Sequence, residues 1–203
     1  GVRGVRDVER PIEYLLKFCG QKSLEEYKKS DANILRDALY EKGLSSSSIK
    51  RIFESLRAVF NLAYSEYELN HPSFSRIILR KEPRKERSTF ETATLKAIQE
   101  ECRQMDDANR WLIALLSDSG LRLGEAVGLV EEDIILDSEH PHLKLVEHPW
   151  RGLKTQASKR VVPLVGESLW GVKRAIEHSS NGFLFPRYCN NQANKADSAS
   201  GAL

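Results

Sequence analysis

The chain has 203 residues, of which 40% are hydrophobic and 30% charged, and its formal net charge is +2. It contains no apolar run near the ~20 residues that span a bilayer, and its first residues, GVRGVRDVER, lack the apolar core of a signal peptide. Its three cysteines, Cys19, Cys102 and Cys189, are far apart. They predict neither a disulfide framework nor a zinc site, and they suit a reducing compartment such as the cytoplasm.

The charge is distributed unevenly along the chain. Residues 1–87 contain 18 Lys and Arg against 13 Asp and Glu, whereas residues 88–203 contain 13 against 16. A basic half is typical of a protein that contacts a polyanion. An excess of this size also occurs in proteins with no such partner, so the charge alone leaves both interpretations open.

The first two predicted helices are marked by their ends. Pro11 stands where a helix would begin, and Gly20 stands where it would end. A second helix is expected to begin after Ser30 as its N-cap and to end before Gly43. Both segments have apolar residues at the three- and four-residue spacing of one buried face.

The third predicted helix is the clearest. Serines 45–48 offer hydroxyls for its N-terminus, and an apolar stripe then continues over four turns. The stripe consists of Ile49, Ile52, Phe53, Leu56, Val59, Phe60 and Ala63. Lys50, Arg51 and Arg57 lie on the other face, which is therefore basic.

A predicted linker separates two domains. The helix-breaking pair His71-Pro72 comes first, and a short helix is expected through Ile77 and Ile78. Residues 80–88, RKEPRKERS, are charged, contain a proline and lack apolar side chains. They would lie along a nucleic-acid backbone or remain a solvated hinge. Their position predicts a helical domain over residues 1–79 and a second domain over residues 89–203.

The second domain begins with helices and then changes character. Helices are predicted over residues 91–104, with Leu95, Ile98 and Cys102 inward, and over residues 108–117. Gly120 is expected to end the latter in a left-handed conformation. The elements expected after it are a short helix at 123–129, strands at 142–147, 152–155 and 160–164, a helix at 167–178, and either a helix cut short or a disordered tail at 190–203. This order predicts an α+β domain with a small antiparallel sheet.

The segment SGLRLGEA, residues 119–126, places an arginine and a carboxylate three residues apart after a glycine turn. Arg122 would start a short helix, and Glu125 would lie on the same face. A guanidinium held by a carboxylate suits recognition of a phosphate, because its planar fork donates two hydrogen bonds to two oxygens. The same residues would also form a purely structural Arg–Glu pair that caps the helix.

The segment LKTQASKRVVPL, residues 153–164, has the pattern of a strand, a polar turn and a strand. Lys154 lies on the first strand, and Ser158, Lys159 and Arg160 lie at the turn. A lysine on a hairpin is able to reach into a DNA groove and to act as a mobile proton donor. The alternative is an exposed hairpin whose lysines only keep it soluble.

In this order and spacing, the segments resemble the tyrosine recombinase (phage integrase) family over most of the chain. Residues 31–63, DANILRDALYEKGLSSSSIKRIFESLRAVFNLA, are similar to its helical, SAM-like core-binding domain. SGLRLGEAVGL with EEDI is similar to the segment that holds its first catalytic arginine, and KTQASKRVVPL with FLFP is similar to its β-hairpin region. The resemblance implies a mainly α fold with a small antiparallel sheet, and an α+β catalytic domain truncated after the hairpin.

The resemblance also implies a chemistry, in which double-stranded DNA is cleaved and rejoined through a 3′-phosphotyrosyl intermediate without a cofactor or metal. Arg122 matches the first catalytic arginine, Glu125 the acidic residue that holds it, and Lys154 the lysine proposed to protonate the leaving 5′-oxygen. DNA contacts are expected from Ser47, Ser48, Lys50, Arg51, Arg57, Lys159 and Arg160. The full-length protein would act as a homotetramer on DNA, nucleoid-associated in the cytoplasm of a bacterium or phage-infected host, with no membrane and no small-molecule substrate.

The chain departs from the family pattern after the hairpin. The His-x-x-Arg motif, a later His or Trp and the nucleophilic Tyr would all lie beyond its last residue, so this chain is expected to bind DNA without cleaving it. HPWR, residues 148–151, fits His-x-x-Arg by its letters, but it precedes Lys154 and contains a proline that is unfavourable inside a helix. It is predicted to be the loop entering the hairpin, with Arg151 available to DNA. Tyr188 is predicted to pack beside Phe185.

Two other functions remain open on the sequence. A noncatalytic DNA-binding relative of the same fold would bind DNA in the same way and differ only in the missing region. A helical module whose basic face binds acidic proteins would show no dependence on DNA length. A metal-dependent nuclease is not favoured, because no group of Asp, Glu and His has ligand spacing.

Overall fold

The computed structural model describes residues 2–67, 74–83 and 88–203, and of residues 2–6 and Gln156 it describes the backbone alone. The chain divides into two compact units, residues 1–87 and residues 88–203. The described residues form eight α-helices and one three-stranded antiparallel sheet. The predicted fold class, mainly helical with a small antiparallel sheet, is confirmed.

Three helices make up the first unit: α1 (Val2–Cys19), α2 (Lys29–Glu41) and α3 (Ser46–Tyr67). Their apolar faces, together with Tyr27 and Phe74 outside the helices, form a core of ten buried residues: Leu15, Tyr27, Ala32, Leu35, Leu39, Ile49, Phe53, Leu56, Phe60 and Phe74. The ring centroids of Phe60 and Phe74 are 4.5 Å apart, so Phe74, which follows α3 in the chain, packs against this core. The stripe predicted for α3 supplies four of the ten residues.

The starts of the first two helices differ from the predictions. α1 begins at Val2, so Pro11 lies inside the helix, where its ring removes one backbone donor while the amphipathic helix continues on both sides. α2 begins after Lys28 rather than after Ser30. The reason is that the Asp31 carboxylate accepts the backbone N–H of Lys28 at 2.8 Å and satisfies a donor that the helix start leaves free.

The helix predicted through Ile77 and Ile78 does not form. Both residues lie in irregular chain, in which Ile77 packs against the helical core and Ile78 is 81% exposed. This alternation is typical of an extended segment with one side on a core. The His71-Pro72 pair lies outside the described residues.

The first residues of the predicted linker contact the helical unit. The guanidinium of Arg80 lies over the ring of Tyr40, 4.2 Å from its centroid, and the Arg80 backbone N–H donates to the Tyr40 hydroxyl at 2.8 Å. The Glu82 carboxylate accepts hydrogen bonds of 2.7 Å from both the backbone N–H and the hydroxyl of Ser46. The role of this stretch as a linker stays a prediction.

The second unit contains the sheet and five helices. In chain order its elements are α4 (Thr92–Met105), α5 (Ala108–Ser119), α6 (Leu123–Val127), β1 (Ile134–Ile135), β2 (His142–Leu145), β3 (Arg160–Pro163), α7 (Gly166–Glu177) and α8 (Ala196–Ser200). α5 and α7 approach so closely at Gly171 of α7 that a Cβ at this position would lie 2.6 Å from the carbonyl oxygen of Trp111 in α5. The core between helices and sheet is apolar, with Leu112, Leu115, Leu129, Leu143, Leu145, Val172, Phe183 and Phe185 buried.

The strands are antiparallel, with β2 in the centre. Leu143 of β2 pairs with Ile134 of β1 on one side and with Val162 of β3 on the other. Leu143 and Leu145 are buried while Lys144 is exposed, as expected of a sheet with one face on a core.

Two predictions for this unit were wrong. Residues 152–155 form no strand; β2 pairs directly with β3, because His148 and Arg151 exchange backbone hydrogen bonds of 3.1 and 2.9 Å that turn the chain before residue 152. Leu95 is 40% exposed rather than inward, since the first turns of α4 extend past the core. Residues 190–203 contain the short α8 with Ala199 buried, which decides between the two alternatives for the tail. No helix in the described parts of the chain is long and apolar enough to cross a membrane.

Candidate active site and DNA-binding surface

Arg122 is positioned by a tight turn between two helices. Gly120 ends α5 at φ 61°, the left-handed conformation predicted for it and one that favours glycine. The chain then places Arg122 at the N-cap of α6. Its side chain is 56% exposed, so part of the guanidinium remains accessible to a ligand.

The Glu125 carboxylate holds Arg122 in place. Oε1 of Glu125 accepts Nη1 of Arg122 at 2.5 Å, and Oε2 accepts the Arg122 backbone N–H at 3.0 Å. The Glu125 side chain is only 5% exposed. One carboxylate therefore caps α6 and orients the guanidinium at the same time, so both roles considered for this pair are compatible with a single geometry.

Arg160 reaches the same carboxylate from β3. Its Nη2 donates to Oε2 of Glu125 at 3.1 Å, and its Nη1 donates to the carbonyl oxygen of Ser158 at 3.0 Å. The sequence predicted a DNA contact at a turn, whereas several donors of Arg160 have partners inside the protein. No local pattern reveals this pairing, because Arg160 and Glu125 are 35 positions apart in the chain.

The loop that carries Lys154 is linked to Arg122 through two hydroxyls. The Ser158 hydroxyl accepts Nη1 of Arg122 at 3.4 Å and lies 3.1 Å from the Thr155 hydroxyl. Lys154 directly precedes Thr155 and is exposed, and within the described part of the chain it forms no hydrogen bond or ion pair. Lys159 is likewise exposed. The structure thus brings Arg122, Glu125, Ser158 and Arg160 together and leaves the Lys154 amine accessible nearby in the chain.

The pKa of Glu125 is lowered below its ordinary value of 4.5. Burial alone would raise this pKa, but the hydrogen bonds from the Arg122 backbone, the Arg122 guanidinium and Arg160 favour the ionised form more strongly. Glu125 is therefore a carboxylate at neutral pH, and the site combines one negative charge with two guanidiniums.

Arg151 is not available to DNA, so that prediction was wrong. Its side chain is 1% exposed, and its Nη1 and Nη2 donate to the two carboxylate oxygens of Asp133 at 2.8 and 3.0 Å. Further bonds go to the carbonyl oxygens of Gly128 and Val146, because a buried guanidinium requires partners for its donors. His148 also contacts Asp133, at 3.1 Å from Nε2. The HPWR segment thus fixes the loop between β2 and β3.

The N-terminus of α3 carries the predicted serine contacts. The Ser45 hydroxyl accepts the backbone N–H of Ser48 at 3.3 Å, and the hydroxyls of Ser47 and Ser48 both lie 3.0 Å from it. Ser47 and Ser48 are exposed. Glu82, which bonds Ser46, places a carboxylate at the same turn.

The basic face of α3 borders a groove of about 490 Å³. Lys50, Arg57 and Arg76 contribute cations to its walls, and the exposed Arg76 had not been predicted as a site residue. The Arg57 side chain is half-buried, and its Nε donates to the carbonyl oxygen of Phe74 at 3.4 Å. Arg51 is exposed and lines a neighbouring groove on α3.

Tyr188, the only tyrosine of the second unit, is buried. It is 4% exposed, its hydroxyl donates to Oδ1 of Asn109 at 2.7 Å, and it shares a core with Phe185, as predicted. Among the described residues, no group of three or more His, Cys, Asp and Glu is arranged to hold a metal ion.

No protein-family model matches the sequence, and no curated protein matches it. By structure, the chain is similar to several DNA recombinases. The Tn1549 transposon integrase in complex with circular intermediate DNA aligns over 92% of this chain and 65% of that chain, with a TM-score of 0.69 and 20% identity. A lambda integrase tetramer bound to a Holliday junction aligns over 98% and 58%, with a TM-score of 0.71 and 13% identity.

The XerH site-specific recombinase bound to its difH substrate aligns over 95% of this chain and 57% of that chain, with a TM-score of 0.62 and 19% identity. The chain therefore has the fold of the tyrosine recombinases, as its motifs predicted. It spans between 57% and 65% of the length of these three structures.

Proposed function

We propose that this chain is the DNA-binding part of a site-specific tyrosine recombinase whose full-length form cleaves and rejoins DNA through a 3′-phosphotyrosyl intermediate. The observation that carries the proposal is the accessible guanidinium of Arg122, held by the buried Glu125 within a tyrosine recombinase fold. The three similar structures all contain DNA: a circular intermediate, a Holliday junction and a difH substrate.

Arg122 would bind two nonbridging oxygens of the scissile phosphate. Negative charge accumulates on these oxygens when the phosphorus is attacked, and a guanidinium already oriented by Glu125 stabilises that charge without reorganising. The Ser158 hydroxyl also accepts Nη1 of Arg122, and this second contact further restrains rotation of the guanidinium.

Lys154 would protonate the leaving 5′-oxygen. Its amine is exposed and has no partner within the described residues, so it is free to approach a bound strand. The reaction class requires no nucleotide or metal, because the phosphotyrosyl link conserves the energy of the broken phosphodiester.

DNA would also contact the helical unit and the loop before β3. Lys50, Arg51 and Arg57 present cations on α3, Ser47 and Ser48 present exposed hydroxyls, and Lys159 presents an exposed cation on the loop. The full-length protein would assemble as a homotetramer on DNA, as the lambda integrase does on its Holliday junction. It would act in the cytoplasm, associated with the nucleoid.

The chain itself would not cleave DNA. Its only tyrosine in the second unit is buried and bonded to Asn109, so the Tyr188 oxygen is not accessible to a phosphate. The second candidate is a noncatalytic DNA-binding relative in which Arg122 and Lys154 bind phosphate alone, because an accessible guanidinium held by Glu125 also suits phosphate binding without cleavage.

The binding test is fluorescence anisotropy of labelled duplexes with the 203-residue chain. We expect dissociation constants of about 10⁻⁴ to 10⁻⁶ M at physiological salt, and an affinity that falls steeply with added salt. Arg122→Met weakens binding, and Lys173→Met, which changes an exposed cation on α7, serves as the matched control. Equal binding to duplex DNA and to polyglutamate would instead identify an interaction module for acidic proteins.

The cleavage test uses a duplex with a 5′-bridging phosphorothiolate, which traps covalent complexes. The 203-residue chain is expected to give none, and an adduct on Tyr188 would overturn the proposal. In the full-length protein, Arg122→Met is expected to abolish cleavage of the phosphorothiolate duplex and of an ordinary duplex. Lys154→Met abolishes cleavage of ordinary DNA alone, because a thiolate leaves without a proton donor, whereas a noncatalytic relative would cleave neither substrate.

A further inference from the structure

We propose that Arg160 is a positioning residue that orients Arg122 through their shared carboxylate, Glu125, and is not a direct DNA contact. The inference rests on the proposed function, since it concerns the arginine that would bind the scissile phosphate. It assigns to Arg160 a role different from the one expected from its place at a basic turn.

The first argument is that the two carboxylate oxygens of Glu125 accept hydrogen bonds from different donors. Oε1 holds the Arg122 guanidinium at 2.5 Å, while Oε2 holds the Arg122 backbone N–H at 3.0 Å and Nη2 of Arg160 at 3.1 Å. The terminal torsion of a glutamate is soft and has two broad minima. With Arg160 removed, a single backbone bond remains on Oε2, and the carboxylate plane that sets the direction of Arg122 is less restrained.

The second argument is that Arg160 also restrains the other partner of Arg122. Nη1 of Arg160 donates to the carbonyl oxygen of Ser158 at 3.0 Å, and the Ser158 hydroxyl contacts Nη1 of Arg122 at 3.4 Å. Nη2 of Arg160 also lies 3.5 Å from the carbonyl oxygen of Gly120, in the turn that delivers Arg122. One planar guanidinium therefore spans α6, the loop before β3 and the turn after α5.

The third argument is charge. An arginine paired one-to-one with a buried carboxylate forms a neutral pair that attracts a phosphate weakly. Here a second guanidinium shares the carboxylate, so the cluster keeps one net positive charge, and the most exposed cation in it is Arg122. The lowered pKa of Glu125 is consistent with two cations acting on one carboxylate.

A double-variant cycle on DNA affinity separates positioning from direct contact. Arg160→Met and Arg122→Met are each expected to weaken duplex binding about tenfold, the loss of one charge-assisted interaction. The loss of affinity in the double variant is expected to be clearly smaller than the sum of the two single losses, because Arg160 acts mainly by orienting Arg122 and only its share of the net charge acts independently. Lys159→Met is the matched control: Lys159 is an exposed neighbour that would contact phosphate directly, so its effect is expected to add fully to that of Arg122→Met.

An Arg160→Met effect that adds fully to the Arg122→Met effect, as the control does, would overturn the proposal. Thermal unfolding first shows whether the second unit still folds in Arg160→Met. If it does not, the cycle is measured with the charge-retaining Arg160→Lys instead, and the proposal is overturned if that variant also fails to fold or gives additive losses. All cycles are measured at one fixed salt concentration, because affinity for DNA depends steeply on salt.

A measurement without DNA keeps the inference independent of the proposed function. In the DNA-free chain, nitrogen-15 spectra of the Arg122 Nε–H are expected to report a restrained side chain, which becomes mobile in Arg160→Met and not in Lys159→Met. A carbon-13 titration of Glu125 is expected to show a higher pKa in Arg160→Met. If the chain binds no DNA, the proposed function fails, and an unchanged Arg122 signal and Glu125 pKa would separately refute the positioning role.

Discussion

Arg151 and Asp133 form a bidentate ion pair in the core of the second unit, with side-chain exposures of 1% and 2%. Charges so fully removed from water are stable only with complete pairing, which two Asp133 oxygens and two backbone carbonyl oxygens provide. The pair fixes the loop that carries Lys154, since Arg151 lies three residues before it.

Removing one partner of this pair is expected to be severe. Asp133→Asn or Arg151→Met should each destabilise the second unit by about 3–5 kcal/mol, because an uncompensated charge or buried donors are left behind. The double variant Asp133→Leu/Arg151→Met should lose much less than the sum. Urea unfolding followed by tryptophan fluorescence measures this, since all three tryptophans lie in the second unit.

The control for that prediction is the exposed Lys50–Glu54 pair, whose atoms are 3.9 Å apart. Glu54→Gln should change stability by less than about 0.5 kcal/mol, as is usual for solvated pairs. Additive losses at Asp133 and Arg151 would contradict the buried-pair account.

Gly171 is expected to tolerate no side chain. A Cβ there would lie 2.6 Å from the Trp111 carbonyl oxygen, so Gly171→Ala must separate α5 from α7 and should cost about 1–3 kcal/mol. Gly124 in α6 is the matched control, because its Cβ would meet only the Ala196 Cβ at 3.7 Å. Gly124→Ala should be neutral or stabilising, and equal losses at both positions would show that helix separation is not the cause.

The stability of the second unit should depend on pH through Glu125. Its pKa is lowered in the folded state, so its contribution is fully present above pH 4.5 and is lost as the pH falls through the folded-state value. Glu125→Gln should therefore be less stable than the wild type at pH 6, and the difference should shrink in acid. A constant difference between pH 6 and acid, in tryptophan-monitored urea titrations, would argue against this linkage.

Arg76 should contribute to DNA affinity although its sequence context gives no hint of it. It lines the same groove as Lys50 and Arg57. Arg76→Met should weaken duplex binding and reduce the slope of log affinity against log salt by about 0.9, the release from one phosphate. Lys173→Met provides the control in anisotropy titrations, and an unchanged slope for Arg76→Met would exclude a phosphate contact.

Glu82 should oppose DNA binding at the start of α3. Its carboxylate bonds Ser46 beside the predicted contacts Ser47 and Ser48, and these bonds lower its pKa. Glu82→Gln keeps an accepting oxygen but removes the charge, so affinity for duplex DNA should rise by about twofold to fivefold. Reduced affinity in the same anisotropy assay would indicate that Glu82 orders the DNA-binding surface instead.

The sequence was informative where the signal is local. The stripe of α3, the left-handed Gly120 and the three-residue spacing of Arg122 and Glu125 each depend on near neighbours, and the structure contains all of them. The prediction of a strand over residues 152–155 was wrong, because the chain already turns between His148 and Arg151, and residues 152–155 therefore do not pair with β2.

The sequence did not predict the roles of residues whose partners lie far away in the chain. Arg151 and Arg160 look alike in sequence, each a basic residue near a turn, yet one is buried against Asp133 and the other shares Glu125. Burial of a charge depends on a partner 18 or 35 positions away, which no periodicity encodes.

The carboxylate shared by Arg122 and Arg160 has an evolutionary consequence. Loss of Glu125 by itself would bring two like charges together without their counterion, and loss of either arginine would change what the carboxylate holds. The three positions therefore form one heritable unit. Among relatives of this chain, we expect Arg122, Glu125 and Arg160 to be kept or replaced together.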